Sequence, residues 1–104
     1  MKSFVVLLSD KNKALMSKSL IRGHVAYLQL KWQEGTLKFC GPCTDGTALM
    51  VFECQTRAQA EALVAGDPFS KVSYYRHVEI KEIEPANPDN NFHLEQVQDF
   101  LSHK

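Results

Sequence analysis

Hydrophobic positions in the first third of the chain predict a strand followed by a helix. Residues 3–8 are apolar at nearly every position, which predicts a strand covered on both faces in the middle of a sheet. After a polar connection over residues 10–13, apolar residues recur at intervals of three or four, the spacing of one helix face. They are Ile21, Val25, Leu28 and Trp32. Gly35 is the predicted C-cap of this helix.

The middle of the chain predicts a hairpin and a second helix. Residues 37–40 and 47–54 are apolar strands on either side of a segment rich in turn residues. Thr56 is the predicted N-cap of an alanine-rich helix, with Gln59 as its capping-box partner. Gly66 is the predicted end of that helix.

The last part of the chain predicts an edge strand and a terminal extension. Apolar and charged residues alternate over residues 75–84, which is typical of a strand with one polar face. Residues 85–91 have the composition of a loop. The apolar residues of a predicted short terminal helix follow: Leu94, Val97 and Leu101. We therefore divide the chain into a domain over residues 1–86 and an extension over residues 87–104, packed on the domain or on a partner.

The order strand, helix, strand, strand, helix, strand predicts an α+β, ferredoxin-like βαββαβ fold. Its four-stranded antiparallel sheet carries both helices on one face, with the first and third strands central and the fourth at an edge. Two helices cover only one face of such a sheet, so the apolar residues of the other face are exposed in a monomer. We therefore expect an isologous homodimer that packs sheet face against sheet face.

Composition narrows the class of protein and its location. A chain of 104 residues with 44% hydrophobic and 23% charged residues is typical of one globular domain. Its 12 basic and 12 acidic residues leave no positive excess, which argues against nucleic-acid and membrane partners. The apolar run near the N-terminus is shorter than the ~7 residues of a signal-peptide core. Three cysteines without an export signal favour reduced thiols and a cytoplasmic location.

His24 is the first candidate for chemistry. It lies three residues after Ile21 and four before Leu28, on the predicted inward face of the first helix. One interpretation is a buried histidine satisfied by a hydrogen bond. The other is a general acid or base, since imidazole, with an unperturbed pKa of about 6.5, gains or loses a proton near neutrality.

Asp67 also has two interpretations. It precedes Pro68 and Phe69, the pattern of an N-cap aspartate with proline at the first helical position. A carboxylate here could equally orient a histidine and favour its imidazolium form, as in many catalytic dyads. Both interpretations stay open, because the sequence does not show whether residues 24 and 67 meet.

The cysteines and the known cofactor motifs give weaker signals. Cys40 and Cys43 enclose the Gly-Pro dipeptide in the dithiol motif of thioredoxin, but the residues after them lead into a strand and not a helix. A second cysteine pair for zinc is missing, and the histidines lack ligand spacing. The chain contains no P-loop, nucleophile elbow or dinucleotide fingerprint. We therefore predict no metal site and no cofactor.

Several short motifs, taken together, resemble the YciI-like (YCII-related domain) family over nearly the whole chain. The motifs are Arg22-Gly23-His24, Gly35-Thr36-Leu37, Gly41-Pro42, Gly46, Asp67-Pro68-Phe69 and the strand end Ser9-Asp10. Each is short, and their joint order and spacing carry the resemblance. Family members often have proline or another residue after the arginine, where this chain has Gly23.

The resemblance implies a ferredoxin-like dimer of the dimeric α/β barrel type, with a histidine and an aspartate in its pocket. These correspond to His24 and Asp67, so the resemblance favours the catalytic interpretation of both. By analogy, the isomerases and lyases of this barrel superfamily suggest a reaction class, although fold alone does not determine function. The candidate substrate-binding residues are Arg22, Asp10, Pro42 and Phe69.

Three functional hypotheses follow. The leading one is an enzyme of the isomerase or lyase type, in which His24 and Asp67 move a proton on a small organic substrate such as a lactone, enol or substituted ring. The second is a non-catalytic dimeric module that binds a metabolite in the same pocket. The third is a redox protein that uses Cys40 and Cys43.

Overall fold

The computed structural model describes residues 1–94. Within them, four strands and three helices follow one another along the chain. They are β1 (Lys2–Lys11), α1 (Lys18–Gln33), β2 (Leu37–Pro42), β3 (Ala48–Cys54), α2 (Arg57–Ala65), α3 (Pro68–Lys71) and β4 (Tyr75–Ile83). Short 3-10 segments occupy Lys13–Leu15 and Pro88–His93. The predicted terminal helix lies, apart from Leu94, outside the described residues.

The strands form one antiparallel sheet in the order β2-β3-β1-β4. The register places Val6 of β1 between Met50 of β3 and Ile80 of β4. The prediction that the first and third strands are central and that the fourth lies at an edge is confirmed. The predicted α+β, ferredoxin-like arrangement is confirmed with it.

The core lies between one face of the sheet and the helices. Its buried residues come mainly from alternate positions of the two central strands: Phe4, Val6, Leu8, Met50, Phe52 and Cys54. Ala60 and Val64 of α2 cover them from the helix layer. Full burial of a side chain such as Phe4 or Phe52 stabilises the fold by about 1.5–3 kcal/mol.

The prediction that Ile21, Val25 and Trp32 of α1 face the core is wrong. Ile21, Val25 and Trp32 are 43%, 44% and 58% exposed, and of the predicted stripe only Leu28 packs on the core. The reason is a close approach between α1 and α3. A Cβ on Gly23 would lie 3.3 Å from Cγ of Pro68, so the glycine side of α1 faces the domain.

The ends of the helices follow local signals, with one difference from the prediction, at the Gln59 side chain. Gly35, with φ of +80°, ends α1 in the left-handed conformation expected of a C-cap glycine. Thr56 caps α2 by accepting from Gln59 N, but the Gln59 side chain accepts from Gln55 N and not from Thr56 N. Gly66 ends α2 at φ of −74°, so its left-handed freedom is not used.

The second face of the sheet carries no helix among the described residues. Its centre is apolar and consists of Val5, Leu7, Phe39, Leu49 and Val51. We call these five residues the open face. Phe39 is 59% exposed. No helix in the described part of the chain is long and apolar enough to cross a membrane.

Candidate active site

The structure brings His24 and Asp67 together from different helices. Nδ1 of His24, in the second turn of α1, lies 2.8 Å from Oδ1 of Asp67, directly before α3. Both side chains are largely removed from solvent, with 16% of the imidazole and 4% of the carboxylate exposed. The two residues selected separately from the sequence are therefore direct hydrogen-bond partners.

Asp67 also has the capping role that its sequence context predicted. Its Oδ1 accepts the backbone N–H of Phe69 at 2.9 Å, and Pro68 occupies the first helical position. Two hydrogen bonds thus end on one carboxylate oxygen, which acts as an acceptor, so Nδ1 of His24 acts as the donor. In its neutral form the imidazole then carries its proton on Nδ1 and a lone pair on Nε2.

The imidazole is held on its flat side as well as at its edge. The rings of His24 and Phe69 are parallel within 2°, and their centroids are 3.7 Å apart. Because Phe69 follows the Asp67-Pro68 turn, the same short segment supplies both the hydrogen-bond acceptor and the stacking ring. The His24 side chain is therefore oriented by two contacts, a hydrogen bond at the ring edge and a stacked ring on its face.

His24 lines a cleft of about 200 Å³ between the helix layer and the β2–β3 hairpin. We call it the His24 cleft. Most of its wall is apolar and comes from Leu8, Leu28, Ala48, Met50 and Phe69. Within residues 1–94, Nε2 of His24 makes no hydrogen bond, and no buried side-chain polar atom lacks a partner. Nε2 therefore reaches solvent and is available to a ligand.

Two of the four predicted substrate-binding residues lie at the cleft, and two do not. Pro42 and Phe69 line its wall. Arg22 is exposed on α1, away from the cleft lining. Asp10 pairs with Arg76 at 2.8 Å, where the positive φ of Asp10, 58°, distorts the end of β1. The structure therefore does not bring Arg22 and Asp10 to His24.

The thiols lack the setting of a thioredoxin-like site. Cys40 lies in β2 and lines the cleft, whereas Cys43 is exposed in the turn that follows, so neither is at a helix N-terminus. Burial raises the pKa of the Cys40 thiol, which disfavours the nucleophilic thiolate. Both thiols are free. Residues 1–94 contain no cluster of three or more side chains suited to a metal ion.

Tyr75 is the cleft residue whose position the sequence did not indicate. The sequence predicts only that residue 75 begins a strand, whereas in the structure Tyr75 lines the His24 cleft from the start of β4. Burial raises the pKa of Tyr75, and the nearby Tyr74, Cys43 and Asp67 add to the effect. No pattern in the sequence identifies this position, because it depends on where β4 begins relative to α3.

Comparison with known proteins gives a family and a fold. A family model described as "YCII-related domain" matches residues 2–84. No curated protein matches the chain. Among solved structures, the chain is similar to the 5-chloro-2-hydroxyhydroquinone dehydrochlorinase TftG from Burkholderia phenoliruptrix AC1100, in complex with 2,5-dihydroxybenzoquinone. The TM-score is 0.67 at 18% identity, over 86% of this chain and 99% of that chain. At this identity the likeness shows the fold alone.

Proposed function

The chain belongs to the YCII-related domain family, and we propose that it is a small-molecule enzyme in which His24, oriented by Asp67, transfers a proton on a bound substrate. One observation carries the proposal. The 2.8 Å hydrogen bond from Nδ1 to the buried Asp67 leaves Nε2 as the free ring nitrogen of a residue that lines a cleft. This is the arrangement that a general base requires.

The roles of the two residues follow from their contacts. Nε2 accepts a proton from the substrate, which converts the imidazole into an imidazolium. The carboxylate of Asp67, 2.8 Å from Nδ1, stabilises the positive charge that forms. Phe69 holds the ring plane, so that Nε2 stays aimed while the proton moves.

A carbon acid next to a carbonyl group gives the simplest reaction. Nε2 takes the proton as the C–H bond breaks, and the electron pair moves into the carbon–oxygen system to give an enolate. Return of the proton to a different carbon completes an isomerisation. Departure of a leaving group with its electron pair from the neighbouring carbon completes an elimination, after which the imidazolium gives its proton to water.

The cleft supports a small and mainly apolar substrate. Its volume of about 200 Å³ and its apolar wall suit a lactone, an enol or a single substituted ring. The structurally similar protein is named as the dehydrochlorinase of a chlorinated hydroxyhydroquinone and was solved with 2,5-dihydroxybenzoquinone. This supports the inclusion of substituted rings in the substrate class.

Deuterium incorporation from D₂O into a panel of lactones, enols, diketones and hydroxyquinones tests the proposal by NMR. Loss of the base should slow exchange at carbon about 10²-fold or more in His24→Gln. We expect a smaller loss in Asp67→Asn, which keeps an acceptor oxygen but not the charge. The matched control, His93→Gln, removes an imidazole from the 3-10 segment after β4 and should exchange like the wild type.

The outcomes separate the competing functions. Exchange that does not depend on His24 contradicts the proposal. Binding of a panel compound in the cleft without exchange or turnover supports the non-catalytic metabolite-binding module.

We further propose that the protein is an isologous homodimer joined through the open face. Val5, Leu7 and Val51 lie at the centre of that face, and Phe39 is exposed in the single chain. On the β4 side, Lys81 lies opposite Val5 and Glu79 opposite Leu7, so charged residues border the apolar centre. An apolar centre with a charged border is the usual anatomy of a protein interface.

Sedimentation velocity at micromolar concentration tests the dimer. The wild type should sediment as a dimer and Val51→Glu as a monomer, because two carboxylates would be buried at the centre of the interface. Ala58→Glu, on the exposed side of α2, is the control and should stay dimeric. A monomeric wild type would contradict the proposal, and so would a dimeric Val51→Glu.

A further inference from the structure

A phenol shares the cleft with the imidazole. Tyr75 is the first residue of β4 and lines the cleft together with His24 and Phe69. Its ring centroid lies 6.2 Å from that of Phe69 and 5.0 Å, edge-on, from that of Tyr74. The phenol is therefore placed by the same aromatic cluster that stacks on the catalytic imidazole.

The hydroxyl group of Tyr75 is free to bind a ligand. It makes no hydrogen bond within residues 1–94, although Tyr75 is half-buried. In the same part of the chain no buried side-chain polar atom lacks a partner, so the oxygen reaches solvent. Packing accounts for the ring of Tyr75 but gives its hydroxyl no structural role.

The other polar side chains of the cleft are poorly suited to donate a hydrogen bond to a developing oxyanion. Of the described residues that line the cleft, Tyr75 alone has a side-chain hydroxyl, and the remaining polar side chains are His24 and Cys40. His24 already acts as the general base, and the Cys40 thiol is a weak hydrogen-bond donor. Among the described residues that line the cleft, the Tyr75 hydroxyl group is therefore the one strong side-chain donor for an enolate oxygen.

We propose that Tyr75 is a second catalytic residue, whose O–H binds the substrate oxygen that becomes negative when His24 takes the proton. This inference rests on the proposed function. It narrows the substrate class to small enols, enones and ring phenols, in which the oxygen and the transferred proton belong to one conjugated system. No further bond is made or broken, because the phenol keeps its proton and donates a hydrogen bond.

The protonation state of Tyr75 suits this role. Burial raises the pKa of Tyr75, so the hydroxyl group stays protonated near neutral pH and remains a donor. A hydrogen bond from a neutral phenol to an oxyanion is of the strong, charge-assisted kind. The same bond to a neutral carbonyl oxygen is weaker, so Tyr75 would stabilise the enolate more than the bound substrate.

Binding of 4-nitrophenol and of 4-nitrotoluene to the full-length protein tests the inference. Both probes have the same ring and nitro group, but only 4-nitrophenol can give a proton to His24 and present an oxyanion to Tyr75. Its phenolate absorbs visible light, so absorbance titration at a pH well below the pKa of the free probe, where little free phenolate is present, reports binding and proton transfer together. Tyr75→Phe removes only the hydroxyl group, and Tyr74→Phe is the matched control at the adjacent tyrosine, which does not line the cleft.

We expect Tyr75→Phe to weaken binding of 4-nitrophenol about tenfold, as for the loss of one charge-assisted hydrogen bond. Binding of 4-nitrotoluene should be unchanged, and Tyr74→Phe should resemble the wild type with both probes. His24→Gln should abolish the phenolate absorbance of the bound probe.

The two proposals fail differently. If Tyr75→Phe binds 4-nitrophenol as tightly as the wild type while His24→Gln loses the phenolate signal, the role of Tyr75 is overturned and the proposed function stands. If the phenolate signal of the bound probe survives in His24→Gln, both are overturned. If the wild type binds neither probe, the role of Tyr75 is overturned, and the deuterium-exchange panel decides the proposed function separately.

Discussion

The hydroxyl group of Tyr27 lies where a side chain on residue 66 would have to be. A Cβ on Gly66 would come within 2.7 Å of Oη of Tyr27, which donates a hydrogen bond to the carbonyl oxygen of Leu63. This contact joins α1 to the last turn of α2. Asp67 follows Gly66 directly, so the packing of Tyr27 helps to place the carboxylate beside His24.

We predict that Gly66→Ala destabilises the protein by about 1–3 kcal/mol, because the new methyl group overlaps the Tyr27 hydroxyl. Urea denaturation gives the free energy of unfolding. Combining Gly66→Ala with Tyr27→Phe should restore part of the loss, since the clash with the oxygen is removed. Gly41→Ala is the control, because a Cβ there meets no atom within 4 Å. Strict additivity in the double variant would refute the steric explanation.

The two hydrogen bonds of Asp67 predict a graded effect of substitution. Asp67→Ala removes both the cap on Phe69 N and the partner of His24, and should cost about 1–3 kcal/mol in the free energy of unfolding. Asp67→Asn retains an acceptor oxygen and should cost less. Urea denaturation measures the loss, and ¹⁵N spectra of the imidazole report which ring nitrogen carries the proton.

Ser17→Ala separates capping from orientation of the histidine. Ser17 Oγ accepts from Leu20 N at 3.0 Å, so this variant loses a helix cap without touching the cleft. It should cost about 1 kcal/mol in the free energy of unfolding and leave the His24 imidazole spectrum unchanged. An unchanged imidazole spectrum in Asp67→Ala would show that the carboxylate does not orient the ring.

We predict that deprotonation of Tyr27 and Tyr75 lowers the free energy of unfolding in alkaline solution. Burial raises the pKa of Tyr27, and the charges of Asp67 and Glu34 add to the shift. A pKa that is higher in the folded than in the unfolded state contributes stability in full below the unfolded value, about 10, and this contribution is lost as the pH rises through the folded value. Burial raises the pKa of Tyr75 in the same direction.

Tyr27→Phe should therefore reduce the fall in the free energy of unfolding above about pH 10. Urea denaturation at a series of pH values measures this slope, and adding Tyr75→Phe should flatten it further. A slope identical in the wild type and the double variant would contradict the assignment to these two phenols.

We expect Cys40 and Cys43 to differ in their rates of alkylation and not to act as a redox couple. Because burial raises the pKa of Cys40, little thiolate is present near neutral pH, whereas Cys43 is exposed to reagent. Iodoacetamide near neutral pH should modify Cys43 first, as followed by mass spectrometry with Cys43→Ser as the control. Faster modification of Cys40 would revive the redox hypothesis.

The order of the strands and the burial of their faces could be predicted from the sequence. Successive side chains of a strand point to opposite faces, so the local pattern of apolar residues indicates which faces are buried. Residues 3–8 and 47–54 are apolar on both faces and occupy the centre of the sheet, whereas the alternating β4 lies at its edge. The cap at Asp67 was predictable for the same reason, since the Asp-Pro pattern acts within one turn of chain.

The site required contacts between distant segments, which local patterns do not encode. His24 and Asp67 are 43 positions apart, and both were identified as candidates, but their hydrogen bond depends on the approach of α1 to α3. That approach requires the absence of a side chain at Gly23 against Pro68. The placing of Tyr75 in the cleft likewise depends on packing.

Helix α1 also shows which features follow from local sequence and which from tertiary packing. The spacing of Ile21, Val25 and Trp32 predicted a helix, and a helix is present, but these side chains point away from the core. Periodicity determines that a segment is helical, since hydrogen bonding along the chain is local. The side of the helix that is buried is decided by which neighbour fits against it. Here the side with Gly23, Tyr27 and Leu28 packs on the domain, with Gly23 against Pro68.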